Sequence, residues 1–164
     1  MTGAHNPVLA ELAHEPGVLS FRGGRYLLIR PETLAALHRA VETASGEAAA
    51  ECLAAGGRAG GARAAGTVSG PARDRIERLL AMGSAIGWGA FALETLTPSS
   101  LVVTVGRSPF AEAYGASTRP VCHLTRGVLE ALTASVFGVA WAVRETACAA
   151  TGAALCRFEA APAA

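Results

Sequence analysis

The hydrophobic period of this chain switches twice in its C-terminal half, and that order limits the folds available to it. Ala90 to Leu96 and Leu101 to Val105 are β-rich runs joined by Thr97-Pro98-Ser99-Ser100, which predicts a hairpin. Pro120 to Gly138 then carries apolar residues at helical spacing, with Pro at the start and Gly at the stop. Val139 to Thr146 and Ala153 to Glu159 return to strand character across a tight Ala-Thr-Gly segment. Two strand pairs interrupted by one long helix predict an α+β domain, an antiparallel sheet of about four strands covered on one face by helices.

The first half supplies further helices. Gly24 to Arg30 reads as a short strand, and Pro31 opens a helical pattern. Pro71 opens another, with Ile76, Leu79, Leu80 and Met82 on one side and charged residues on the other. Between them, residues 46–70 are rich in Ala and Gly and poor in large apolar side chains. A helix there has little to bury, and its second half is expected to be a mobile connection. The 164 residues and 51% hydrophobic content suit one core. The expected organisation is an N-terminal extension over 1–19, one domain over 20–160 and a tail over 161–164.

Composition excludes several functions. The net charge of +1 gives no field for nucleic acid. All fourteen cationic residues are Arg, which removes P-loop and Schiff-base lysines, and there is no GxGxxG fingerprint. Asp74 is the sole aspartate and no GxSxG elbow occurs, so a serine hydrolase is disfavoured. No apolar stretch is long enough for a membrane span, and residues 1–17, with His5, Glu11, His14 and Glu15, do not read as a secretory signal. A cytoplasmic location is therefore expected, where cysteines are thiols or metal ligands.

Cys122, Glu145, Cys148 and Cys156 are the candidate metal ligands, since thiolates and a carboxylate bind zinc. Glu145 and Cys148 would point to opposite faces of a regular strand, so convergence requires a strand end or bulge near Thr146. A closed Cys3Glu set leaves no position for substrate, and its zinc would be structural. The competing reading, cysteines as small core hydrophobes, is equally open on spacing alone. His123 follows Cys122 directly on a helix and projects about 100° away, so it is assigned to another face. Trp88, Phe91, Tyr114, His123 and Trp141 are candidates for lining a ligand pocket, Trp88 because two glycines flank it and Tyr114 and His123 as polar contacts. Arg126 and Arg144 read as solvated, and Ser108 as a turn former.

The run SPFAEAYGASTRPVCHLTRGVLEAL, followed by E-x2-C-x7-C at Glu145, Cys148 and Cys156, resembles the 4-vinyl reductase domain over residues from about 20 to 160. The resemblance implies a zinc site like that of the aromatic-sensing transcription activators, with all four ligand positions matching as Cys122, Glu145, Cys148 and Cys156. It also implies a fold shared with TRAPP trafficking subunits and haem nitric-oxide sensors, a ligand between helices and sheet, and a homodimer. With no ATPase module or helix-turn-helix in the sequence, signalling is expected to pass through a protein partner. The leading expectation is non-enzymatic binding of a small hydrophobic, aromatic or tetrapyrrole ligand. The alternatives are an accessory or reductase role in (bacterio)chlorophyll synthesis and a TRAPP-like scaffold.

Overall fold

The computed structural model describes residues 6–163. His5 lies outside these residues, as do the rest of 1–5 and Ala164. The frame is a four-stranded antiparallel sheet of β4 (Ala90–Thr97), β5 (Ser100–Gly106), β6 (Trp141–Ala147) and β7 (Cys156–Pro162), in the order β4-β5-β7-β6. The TPSS segment closes the β4–β5 hairpin, with Thr97 opposite Ser100. Along β7 the residues Cys156, Phe158 and Ala160 are buried in alternation, the period of a strand with one face on a core. β5 is buried along almost its whole length, as expected of an inner strand. Glu94, Arg157 and Glu159 pair with one another on the neighbouring strands and are more exposed.

Helices cover one face. They are α2 (Pro31–Ser45), α3 (Ala49–Ala65), α4 (Ala72–Ala85), the short α5 (Pro109–Tyr114) and α6 (His123–Phe137). Ile76, Leu79 and Leu80 of α4 enter the core, as the periodicity predicts. Pro31 opens α2 and Gly138 closes α6 in the left-handed region at φ 74°.

Two segments depart from expectation. Residues 49–65 form a regular helix, although their composition predicts a mobile connection in the second half. Large side chains are not needed there, because Gly57 and Gly61 of α3 meet the backbone of α6, and Gly127 of α6 meets that of α3. Arg58 and Arg126 add ion pairs to Glu51 and Glu130 across the same seam. Arg126 is therefore paired rather than solvated.

The N-terminal segment is the second departure. After a single helical turn, α1 (Pro7–Glu11), a meander of β1 (Leu12–Glu15), β2 (Val18–Phe21) and β3 (Gly24–Tyr26) forms a separate three-stranded sheet. Arg22 and Gly23, at φ 48° and 77°, make the two-residue hairpin turn between β2 and β3. The expected strand over 24–30 is confined to Gly24–Tyr26, and Leu27 to Arg30 lie outside any element. At the other end β7 runs to Pro162, into the expected tail.

Candidate metal centre and apolar cavity

Cys122, Glu145, Cys148 and Cys156 come together, their ligand atoms all within 4.8 Å of one another. Each reaches the site by a local device. Cys122 is the residue before the first turn of α6. Glu145 ends the regular part of β6, where the register shifts between Glu145 and Ala147, the bulge that the spacing requires. Cys148 leads into a 3-10 turn, Ala149–Thr151, closed by Gly152 at φ 93°. Cys156 then opens β7, and the three sulfurs and the carboxylate meet at one end of the sheet.

The three cysteines are fully buried. Cys122 and Cys156 sulfurs lie 3.6 Å apart. Two thiolates on a tetrahedral zinc, with bonds of about 2.3 Å, stand about 3.8 Å apart. Glu145 Oε2 accepts the Cys122 backbone N–H at 2.9 Å, while its buried Oε1 has no hydrogen-bond partner. Burial, with Cys148 beside it, pushes the Glu145 carboxyl up to about 8. Cys122 is held above the usual thiol range by its hydrogen bonds to Cys148 and Cys156 and by burial, and Cys156, which receives hydrogen bonds from those thiols, is lowered to about 4. The Ala149 N–H donates to Cys156 Sγ at 3.4 Å, and Ser108 Oγ lies 3.4 Å from Cys122 Sγ. Packing three sulfurs and an orphaned carboxylate oxygen together without water is unfavourable unless a cation balances them. The donor set fits a metal ion.

A cavity of about 580 Å³ lies on the other side of α6. Leu124, Val128, Leu129 and Leu132 of α6 form one wall and Leu79, Leu80 and Met82 of α4 another. Leu12, Leu19 and Phe21 of the small sheet close it from the N-terminal side, and Trp88, Phe91 and Phe110 from the main sheet. Trp88 meets Phe110 edge-on at 5.0 Å. Gly89, at φ 116°, brings the chain within reach of β5: a Cβ there would stand 2.6 Å from Val105 Cγ1. No larger residue could follow Trp88 without moving it.

Residues 101–162 match the family model of the 4-vinyl reductase domain, a span that contains all four candidate ligands. The chain carries a 4-vinyl reductase domain. No curated protein matches it. Among solved structures, the phenol-responsive sensory domain of the transcription activator PoxR, determined with phenol, aligns with TM-score 0.84 at 20% identity, covering 95% of this chain and 87% of that one. A vinyl-4-reductase family protein from Methanocaldococcus jannaschii aligns with TM-score 0.59 at 16% identity, covering 87% of this chain and 86% of that one. The shared fold thus extends beyond the matched segment to the N-terminal meander and helices.

Within this 4-vinyl reductase fold, Trp88 and Phe91 line the cavity, but Tyr114, His123 and Trp141 do not. Trp141 sits on the edge strand β6 at the opposite side of the sheet from β4, its ring stacked on Phe137 at 4.7 Å. Tyr114 donates its hydroxyl to Glu42 at 2.7 Å. His123 turns toward α2, 5.5 Å from His38, and burial with the nearby His38 charge lowers it to about 4. Being aromatic and near the ligand-bearing helix marks these three as pocket candidates in the sequence; the helix turns them to its α2 side and its end. Sequence reasoning missed the meander residues because strands of three or four residues broken by Pro16-Gly17 and Gly23 carry little periodicity. The run Tyr26-Leu27-Leu28-Ile29 was the available signal.

Proposed function

We propose that this chain is a non-enzymatic sensor or carrier that binds a small hydrophobic or aromatic molecule in the cavity between α3, α4, α6 and the meander. The observation that carries it is the lining: a cavity of about 580 Å³, within the range of about 300–1,000 Å³ common for small-molecule sites, whose walls are almost wholly apolar. The PoxR sensory domain, similar in fold, was solved with phenol, which supports the same kind of use here. Zinc held by Cys122, Glu145, Cys148 and Cys156 would staple α6 to the β6–β7 hairpin, and its closed ligand set supplies folding free energy rather than an activated water. The reading includes a cytoplasmic setting that keeps the thiols reduced, a homodimer, and a protein partner that receives the signal. Among the described residues no helix is long and apolar enough to cross a membrane.

Tryptophan fluorescence tests the cavity. The ring of Trp88 lines it and that of Trp141 does not, so an aromatic ligand such as toluene is expected to change the emission of wild type and of Trp141→Phe. Trp88→Phe is expected to lose that response. A response that persists without Trp88 and disappears without Trp141 would place the ligand elsewhere. Silence across hydrocarbons, phenols and tetrapyrroles would overturn the binding reading.

A further inference from the structure

The cavity has an apolar interior and a cationic mouth. Its interior presents one polar side-chain group, the Trp88 indole, so a charge carried inward would be unpaired and expensive. Toward the meander it opens into an adjoining cleft of about 620 Å³, and the two share Leu19, Arg25, Tyr26 and Leu27. His14 lines the same cleft. The polar groups of this ligand path are thereby collected at one end.

Arg25 differs from the arginines around it. Arg22 is held by Glu11 at 2.7 Å and Arg30 by Glu32 at 3.3 Å. Among the described residues Arg25 has no carboxylate partner, and its one hydrogen bond goes to the Gly17 carbonyl at 3.0 Å. A guanidinium with free donors next to the Tyr26 phenol and the His14 imidazole is suited to a carboxylate. Size points the same way. An apolar cavity of about 150 Å³ accommodates benzene, so a single ring would leave most of this one empty.

We propose that the ligand is a carboxylate-headed amphiphile whose apolar body fills the cavity while its head lies at the mouth against Arg25. This rests on the cavity being the ligand site, and it names the class of ligand that the site takes.

The test compares decanoate with decanol on the full chain, below their aggregation concentrations, by titration calorimetry. Water-to-oil transfer favours the alcohol, so without a cationic mouth decanol would win. Wild type is expected to bind decanoate at least as tightly as decanol. Arg25→Gln should weaken decanoate about tenfold, one charge-assisted hydrogen-bonded contact, and leave decanol within about twofold. Unchanged decanol binding also shows that the variant is folded. Equal decanoate affinity in wild type and Arg25→Gln would overturn the assignment of the head. Binding of toluene or phenol with no binding of decanoate would overturn the amphiphile and leave the cavity reading standing, whereas failure of every apolar probe would overturn both.

Discussion

Cys148→Ala is expected to purify without metal and to be largely unfolded at physiological temperature, whereas wild type carries about one zinc per chain. The four donors come from three separate places, the start of α6, the bulged end of β6 and the start of β7, and the ion is what ties them. Structural zinc contributes about 10–16 kcal/mol of apparent binding free energy in small peptides. A domain stable by about 5–15 kcal/mol cannot lose a large part of that and remain folded. Removing one thiolate also leaves two buried sulfurs and the unpartnered Glu145 Oε1 facing one another. Because an unfolded variant is degraded during expression, the same claim is checked on wild type: a strong chelator should lower Tm by 10 °C or more, an effect of several kcal/mol at about 2–4 °C per kcal/mol, and added zinc should restore it. A metal-free wild type with an unchanged Tm in chelator would refute the structural zinc.

How much of this was legible in the sequence divides by the kind of signal. The hairpins, α4 and α6 were legible because large apolar residues recur along them at periods of two or about 3.6, and Pro and Gly mark their ends. The convergence of Cys122, Glu145, Cys148 and Cys156 was legible too, including the need for a bulge at Thr146, since strand alternation dictates it. Pocket assignment failed for Tyr114, His123 and Trp141, because aromatic identity does not reveal which side of a helix or sheet edge a ring occupies. The α3 segment misleads for a physical reason. Burial by close backbone approach uses small residues, and these are the same residues that mark flexible linkers when no partner helix is in view.

That close approach predicts opposite outcomes for the same substitution at two glycines of the α3–α6 pair. A Cβ on Gly127 would stand 1.9 Å from the carbonyl oxygen of Ala54 and 2.7 Å from its carbon, both backbone atoms of a facing helix that cannot rotate away. Intrinsic helix propensity favours Ala over Gly by about 0.8–1.0 kcal/mol, yet overpacking costs about 1–3 kcal/mol or more, and here relief requires the helices to part. Gly127→Ala is therefore expected to lower Tm by about 4–10 °C, given about 2–4 °C per kcal/mol. Gly60→Ala, on the exposed side of α3 with nothing within 4 Å of its Cβ, should raise Tm by a few degrees, since only the propensity term acts. Thermal unfolding followed by circular dichroism separates the two, and a Gly127→Ala variant as stable as wild type would refute the packed seam. The seam also reaches function. Leu124 and Val128, whose backbone meets Gly57 and Gly61, carry their side chains on the cavity wall, so parting the helices to admit one methyl group shifts that wall, and Gly127→Ala should weaken ligand binding as well as the fold.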